Sequence, residues 1–211
     1  LGIKGSVTFE EATERKFSPY LNMSIDQISS RLDHFKTSTY QKGFNRELAM
    51  RILAGPQKVA PELEKAGIEL KTIRLNRNGA PKEAMSFPGF KYLEIVKQEW
   101  EDSSFFEKLE SRFLFIVFKE DGQGVERLNR VFYWNMPYED RLEAQRVWED
   151  TKRRVSVDAS DLPKGSESHV AHVRPKAKNS RDTILTPQGT MLVKKCFWLN
   201  RDYIQSILAS A

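Results

Sequence analysis

The sequence predicts an α/β fold in which strands and helices alternate around one core. The segment Arg112 to Lys119 is a short, almost uninterrupted apolar run, which is typical of a central buried strand. Ile68 to Leu75 alternates apolar and charged or polar positions, as a strand does. Ser24 to Phe35 instead spaces its apolar residues three and four apart, as an amphipathic helix does.

The first part of the chain predicts two helices and a strand that ends in a turn. Residues 1–16 are charged and weakly periodic, which indicates a linker, an N-terminal extension or a frayed helix. Ser24 is the expected cap of the first helix. A second helix is predicted over Arg46 to Leu53, because Gly55-Pro56 would end it. The strand from Ile68 should end before a turn at Asn78-Gly79.

The second part predicts a hairpin and further alternation of helices and strands. The turn Asp121 to Gly124 should join the central strand to a partner over Val131 to Trp134. The four tryptophans fall at apolar positions and predict core packing rather than base stacking. The remaining predicted elements are helices around Phe90–Trp100, Tyr138–Arg153 and Arg201–Leu208, a polar loop over 156–168, and strands over His169–Pro175 and Thr190–Trp198. Residues 17–211 are therefore predicted to form a single domain.

Composition excludes a membrane protein and predicts a reducing compartment. The longest apolar run, Phe113 to Phe118, is far shorter than the roughly 20 residues that cross a bilayer. Cys196 is the only cysteine, so no disulfide can form within the chain, which fits a reducing cytoplasm. No signal sequence opens the chain. Its start at Leu1, without methionine, leads us to expect a fragment of a longer protein.

The net charge of +5 is concentrated in the last third of the chain. Residues 151–211 hold 11 lysines and arginines against 5 aspartates and glutamates, whereas the other 150 residues hold 23 against 24. This asymmetry indicates a polyanionic partner, and nucleic acid fits better than a membrane because no basic amphipathic helix is present. A basic surface that only favours solubility is the alternative.

Glu69 and Lys71 lie two residues apart in a predicted strand, so alternation puts both side chains on one face. A metal-dependent nuclease needs carboxylate oxygens that hold a hard cation and a positive group that orients water. Glu62 and Glu64 precede the strand and could complete such a site. A solvated strand face with a local ion pair is the other interpretation of the same residues.

The basic segment from His172 to Arg181 is a second candidate site. Arginine can read guanine and asparagine can read adenine in the major groove, whereas lysines hold phosphates. Two adjacent lysines in a later strand would project to opposite faces, so at most one should meet a given DNA backbone. The predicted DNA-binding residues are Arg174, Pro175, Lys176, Lys178, Asn179, Arg181, Lys194 and Lys195.

These motifs resemble the MutH nuclease family in type and in order. The matching stretches include GIELKTI, P-K-E, RFLFIVF, and RPKA followed by a K-K pair. FSPYLNMSID, KEAMSF, EWEDS, LESRFLFIVFKED and CFWLNRDYI are similar to the C-terminal domain of GATC restriction endonucleases of the Sau3AI type. The resemblance covers about Phe17 to Leu208. It implies a MutH-like, restriction-endonuclease-like fold with a mixed sheet core flanked by helices.

The resemblance also implies an active site. The family carries a helix glutamate and then a D-x(6)-E-x-K pattern, to which Glu69 and Lys71 correspond, with Glu62 in place of the aspartate. The helix glutamate falls near Met50, where no carboxylate stands, and Glu47 is almost a turn away. The implied catalytic residues are Glu62, Glu69 and Lys71. The implied metal ligands, for Mg2+, are Glu62 and Glu69, in a degenerate or residual site.

The altered residues favour binding over cutting. The extra methylene of Glu62 displaces a ligand, and a misplacement of about 1 Å can cost about 100-fold in rate. Leu192 stands where the family has a tyrosine that helps to read the site. The resemblance thus implies binding of double-stranded DNA at GATC, as the C-terminal allosteric domain of a type II restriction endonuclease. An N-terminal catalytic MutH-like domain of the same chain would be its partner, and Mg2+ the cofactor of the parent enzyme.

Two other functions stay open at this point. One is a catalytically active, magnesium-dependent endonuclease domain that cleaves at GATC. The other is a basic interaction module without sequence preference.

Overall fold

The computed structural model describes residues 8–32, 43–55, 63 and 65–210. The helices in this part of the chain are α1 Phe9–Phe17, α2 Ile25–Arg31, α3 Phe44–Ala54, α4 Tyr92–Ile95, α5 Ser104–Glu110, α6 Tyr138–Val157 and α7 Arg201–Ser210. The strands are β1 Ile68–Leu75, β2 Met85–Gly89, β3 Arg112–Glu120, β4 Glu126–Trp134, β5 Ala171–Pro175, β6 Thr183–Leu185, β7 Met191–Val193 and β8 Lys195–Leu199. Within the described ranges, no helix is long and apolar enough to cross a bilayer.

The chain divides into two compact units. Unit 1 comprises Leu1–Lys82 and Arg112–Trp134, and unit 2 comprises Glu83–Ser111 and Asn135–Ala211. A single domain over residues 17–211 stays a prediction.

Unit 1 is built on a mixed sheet with the strand order β1-β3-β4. β1 pairs with β3 in parallel register from Ile68 opposite Arg112 to Leu75 opposite Lys119. β4 pairs with the other edge of β3 in antiparallel register, with an irregularity between Val117 and Phe118. Residues 113–118 of β3 are fully buried. The predicted fold class is therefore confirmed, and the apolar run is the central strand.

The helices of unit 1 begin and end where the sequence provides caps. The hydroxyl of Ser24 accepts a hydrogen bond from the Gln27 amide, and Gln27 Oε1 accepts one from the Ser24 amide, which forms a capping box at the start of α2. α3 ends at Gly55, whose φ of 65° suits glycine. Both helices were predicted from sequence. Residues 9–16, predicted to be a linker, an extension or a frayed helix, lie in the capped helix α1.

Unit 2 contains an antiparallel sheet with the order β2-β8-β5 and a separate hairpin of β6 and β7. The predicted single strand over Thr190–Trp198 is wrong in one respect, because it is interrupted at Lys194. The Lys194 amide donates to the carbonyl of Asp182, next to β6, at 3.1 Å, whereas the Lys194 carbonyl accepts from the Lys176 amide, next to β5, at 2.9 Å. The chain therefore changes its pairing partner there, and two strands result. β6 was not predicted, since it is short and follows polar residues.

Two other segments of unit 2 differ from prediction. The helix predicted around Phe90–Trp100 is shorter than expected: the α-helix covers only Tyr92–Ile95, and it starts after Phe90 because the Phe90 amide donates to the carbonyl of Lys195. The segment 156–168, predicted to be a polar loop, begins inside α6 and buries Ala159 and Leu162. Two apolar anchors therefore hold this segment in place.

Candidate functional site

Glu69 and Lys71 lie on one face of β1, as alternation predicts. Lys71 Nζ is 3.3 Å from Glu69 Oε1, and the two side chains are only 17% and 22% exposed for lysine and glutamate respectively. In the parallel register Glu69 lies beside Phe113 and Lys71 beside Phe115. The pair therefore sits next to apolar surface, where an ion pair is less screened by water than at an open surface.

Aromatic side chains continue this face of the sheet onto β4. Trp134 is the Cα partner of Phe113, and Phe132 is the partner of Phe115. Phe115 lies with its ring centroid 5.4 Å from Phe132 and 5.6 Å from Trp134. Glu69 and Lys71 thus border an aromatic layer, which fixes the strand rigidly. A rigid strand is what a catalytic pair requires, but the same layer would serve a purely structural ion pair.

The described residues supply only part of the predicted magnesium site. Glu62 lies outside the described residues, and the helix position of the family glutamate is Met50, which packs against the core of unit 1. Glu47 is exposed one turn before it. Among the described residues, no group of three or more potential metal ligands comes together. Mg2+ is usually held by one or two carboxylates together with waters and substrate phosphates, and Glu69 is the one carboxylate of the predicted set that lies among the described residues. The catalytic and metal assignments stay predictions.

A second ionic cluster in unit 1 involves the lysine of the P-K-E motif. Lys82 Nζ is 2.9 Å from Glu126 Oε1 and 2.5 Å from Glu120 Oε1. Arg74 Nη2 approaches Glu126 at 2.6 Å, and Asn45 donates to the second carboxylate oxygen at 3.3 Å. Arg74 is an odd number of residues from Glu69 and Lys71, so it projects from the opposite face of β1. The P-K-E lysine therefore has a structural role in joining three elements.

Arg174 occupies the exposed end of β5 in unit 2. Its guanidinium lies over the indole of Trp198, with Cζ 4.0 Å from the ring centroid. Stacking of this kind fixes the plane of an arginine while its N–H groups stay available in that plane. No carboxylate of the described residues lies within ion-pair distance of this guanidinium. Arg174 is thus held ready to donate hydrogen bonds.

Trp198 is a functional candidate that sequence reasoning missed, because all four tryptophans were predicted to lie in the core. Trp100 and Trp148 are buried, but Trp134 and Trp198 are only half-buried. The β5–β8 register pairs Arg174 with Cys196 and His172 with Trp198. No local signal in the sequence predicts that long-range register.

The turn after β5 uses polar side chains to fix its own backbone. The Asn179 side-chain oxygen accepts from the Arg181 amide at 2.9 Å. Asp182 accepts from the Lys178 amide at 3.0 Å and from Lys194 Nζ at 2.5 Å. The hydrogen bonds from Lys194 Nζ and from the Lys178 amide hold the pKa of Asp182 below its usual range. The side chains of Lys178 and Arg181 are exposed and form no close ion pair among the described residues, although the charge of Lys178 also contributes to the lowered pKa of Asp182.

The other predicted DNA-binding residues have protein partners. Lys176 Nζ donates to the Phe87 carbonyl at 2.6 Å. Lys195 is half-buried, which lowers the pKa of its ammonium, and its Nζ lies 3.4 Å from the Ser160 carbonyl. Pro175 pairs with Lys195 in the sheet and closes β5. The predicted set of eight therefore separates into three available cations, in Arg174, Lys178 and Arg181, and five residues that shape or brace the surface around them.

Comparison with known proteins identifies relatives of the whole chain and of its middle part. The family model described as "DNA mismatch repair enzyme MutH" matches residues 54–146. The type II restriction enzyme Sau3AI of Staphylococcus aureus is 33% identical over 227 residues, which is 92% of this chain and 46% of that enzyme. The DNA mismatch repair protein MutH of Pasteurella multocida is 28% identical over 64% of this chain and 61% of that protein. MutH of Shewanella woodyi is 27% identical over 72% of this chain and 68% of that protein.

The chain thus spans less than half the length of the Sau3AI enzyme that it matches.

Proposed function

The chain belongs to the MutH-like restriction-endonuclease family, and from this premise we propose that it binds duplex DNA at GATC as the C-terminal effector domain of a type II restriction endonuclease. The observation that carries this proposal is the stacked, exposed Arg174 beside two exposed cations that form no close ion pair among the described residues. Arginine can donate two hydrogen bonds to O6 and N7 of guanine. GATC offers one such guanine on each strand.

Lys178 and Arg181 would supply the phosphate contacts that orient the domain on the duplex. Phosphate contacts fix register but carry no sequence information. The turn that bears these cations is held by the Asn179 and Asp182 side chains. Binding would therefore order two flexible side chains but would not need to order the backbone. This lowers the entropic cost of association.

The proposed partner within the parent protein is an N-terminal catalytic MutH-like domain. The match with Sau3AI leaves about half of that enzyme outside the aligned region, which is room for a second domain of similar size. In this proposal Mg2+ is the cofactor of that catalytic domain. The protein acts in the bacterial cytoplasm, where it meets double-stranded DNA. The effector domain would contribute a second GATC contact.

A second candidate function is magnesium-dependent cleavage at GATC by this chain itself. The favouring observation is the intact Glu69–Lys71 pair, which is close and largely buried on one face of β1. Lysine would orient or activate water, and glutamate would be one of the metal ligands. The absence of a carboxylate at Met50 and the glutamate at position 62 argue for the effector function instead.

The proposal is tested by binding and cleavage measurements on the same preparation. Fluorescence anisotropy with a GATC duplex and a scrambled duplex of equal composition measures the preference for the site. We expect tight, selective binding without cleavage of GATC-containing plasmid in Mg2+. Cleavage that disappears in both Glu69→Ala and Lys71→Ala would favour the second function. Equal affinity for both duplexes would contradict both functions and indicate a basic module without sequence preference.

A further inference from the structure

The hairpin of β6 and β7 presents two exposed apolar side chains side by side. Leu185 is 45% exposed and Met191 is 57% exposed. They are Cα partners in the antiparallel register, so both side chains project from the same face of the hairpin. Two adjacent large apolar side chains in water are unfavourable unless a partner covers them. We refer to them as the apolar pair.

The hairpin that carries the apolar pair is held at both ends. Near its turn, the Gln188 side chain donates to two backbone carbonyls at the end of α6, at 2.9 and 3.2 Å. At its open end, Tyr92 Oη donates to the carbonyl of Val193 at 2.8 Å. The apolar pair is therefore presented on a fixed ribbon, and a partner would not have to order it.

The charges next to the hairpin indicate which partner covers the pair. β6 begins two residues after Arg181, so Leu185 lies at most about 13 Å along the chain from that exposed cation. Lys178 precedes Arg181 in the same turn and is also exposed. A partner that covers the hairpin would therefore also meet cations that form no close ion pair among the described residues. A polyanion with apolar groups fits this surface, and an apolar protein surface does not.

We propose that Leu185 and Met191 contact thymine methyl groups in the major groove of the bound duplex. This inference rests on the GATC-binding function proposed above. The major groove admits a two-stranded β-ribbon, and the thymine methyl is the apolar group exposed there. GATC carries one thymine on each strand. The apolar pair thus reads thymine, while hydrogen bonds from Arg174 read guanine. Leu192 projects from the opposite face of β7, so in this arrangement position 191, and not position 192, faces the bases.

A double-mutant cycle between protein and DNA tests the inference. Kd is measured for the unmodified chain and for the variant Leu185→Ser/Met191→Ser, each on the GATC duplex and on the same duplex with uracil in place of thymine. Uracil removes only the methyl groups. We expect uracil to weaken binding of the unmodified chain about fourfold for each thymine methyl group that the apolar pair touches. The double variant should bind GATC more weakly by a similar factor and should not distinguish the two duplexes.

Two further variants make the result interpretable. Leu21→Ser removes a leucine of unit 1 that is 41% exposed, and this matched control should keep the full uracil penalty. Met191→Gln keeps the size of the side chain but replaces its apolar end, so it remains informative if the double serine variant does not fold. It should lose part of the uracil penalty.

Three outcomes would overturn the inference. If the double variant still distinguishes thymine from uracil, the apolar pair does not read the methyl group. If the unmodified chain prefers GATC over scrambled duplex but ignores uracil, the inference fails while the proposed function stands; without any GATC preference, both fail. If sedimentation shows a dimer that the double variant cannot form, a second copy of the chain covers the pair.

Discussion

The charged side chains of unit 1 and those at the end of β5 in unit 2 differ in how they are engaged. In unit 1, Glu69 pairs with Lys71, and the Glu126 carboxylate, 12% exposed, is shared by Arg74 and Lys82. In unit 2, the exposed cations over 174–181 form no close ion pair among the described residues. A buried charge that loses its partner destabilises the fold, whereas an exposed cation without a carboxylate partner is available to a phosphate. The surroundings of a charged side chain thus indicate its role. The paired, partly buried groups of unit 1 stabilise the fold, whereas the exposed cations of unit 2 are available for binding.

Removal of Glu126 should have the largest effect on stability. Glu126→Ala removes the carboxylate that Arg74 and Lys82 share. Lys82 keeps Glu120 and the Arg74 side chain is 42% exposed, so the cost is below that of a fully buried ion pair, at about 2 kcal/mol. We expect the free energy of unfolding in urea to fall by about that amount, with DNA affinity unchanged once the variant is folded. The exposed neighbour in the P-K-E motif provides the control, and Glu83→Ala should leave stability within about 0.5 kcal/mol of the unmodified chain.

A Glu126→Ala variant that unfolds normally but binds DNA poorly would contradict the comparison. It would mean that the ionic cluster of unit 1 takes part in binding.

Arg174→Ala should have the next largest effect, on specificity rather than on stability. Removal of a bidentate base contact reduces discrimination between GATC and a one-base variant by about 1–3 kcal/mol, or roughly 5-fold to 160-fold in relative affinity. The melting temperature should change little, because the guanidinium is exposed. Anisotropy titrations on the two duplexes measure the ratio. The control is Arg46→Ala, at an exposed position of α3 in unit 1, which should leave the ratio of the two affinities unchanged.

An equal loss of affinity on both duplexes would make Arg174 a phosphate contact instead of a base reader.

Glu126 also makes the stability of the protein depend on pH. Burial raises the pKa of its carboxyl group, but hydrogen bonds from Arg74 and Lys82 outweigh burial and hold the pKa below the usual 4.5. A carboxyl group whose pKa is lower in the folded than in the unfolded state stabilises the fold above the unfolded pKa. It loses this contribution as pH falls through the folded pKa.

We therefore expect the stability difference between the unmodified chain and Glu126→Gln to be complete above pH 4.5 and to shrink below it. Urea unfolding at a series of pH values measures this difference. Glu139→Gln, at an exposed position of α6, serves as the reference. A difference that stays constant as pH falls below 4.5 would show that the ionic cluster does not stabilise the folded state.

Lys178→Ala should have the smallest effect, which is visible as a change in salt dependence. Each phosphate that a protein neutralises contributes about −0.9 to the slope of log K against log[salt]. We expect the slope to become shallower by about that amount and affinity to fall alike for all sequences. Lys97→Ala, an exposed lysine of unit 2 outside the basic segment, should leave the slope unchanged. Equal changes of slope for the two lysine variants would mean that the surface in contact with DNA extends beyond residues 174–181.

Sequence reasoning succeeded where structure is decided locally. The Ser24 cap, the Gly55 stop and the apolar run of β3 all carry their signal within a few residues, and each was confirmed. It failed where a contact between residues far apart in the sequence decides the local structure. The helical spacing after Phe90 is real, but the Phe90 amide bonds to the carbonyl of Lys195 in β8, so the helix starts only at Tyr92. One local signal was overlooked, since Ser103 caps α5 by accepting from the Phe106 amide.

The candidate sites show the same difference between local and long-range signals. Alternation within β1 predicted that Glu69 and Lys71 share a face, and the structure confirms this geometry. The stacking of Arg174 on Trp198 depends on the pairing of β5 with β8. That pairing brings together residues far apart in sequence. Composition located the basic third of the chain, but only the contacts separate its available cations from those that brace the surface.

The interleaving of the two units has a consequence for how this polypeptide can fold and be dissected. β1 and β3 belong to unit 1, but the segment Glu83–Ser111 between them belongs to unit 2. During synthesis β1 must therefore wait for the whole of that segment before its parallel partner exists, and closing so long a loop precedes any gain from the pairing. No single cut in the chain releases unit 1, because every contiguous fragment with both strands contains part of unit 2. Because the two units alternate twice along the chain, circular permutation does not separate them either, and unit 1 alone requires that Glu83–Ser111 be replaced by a short linker.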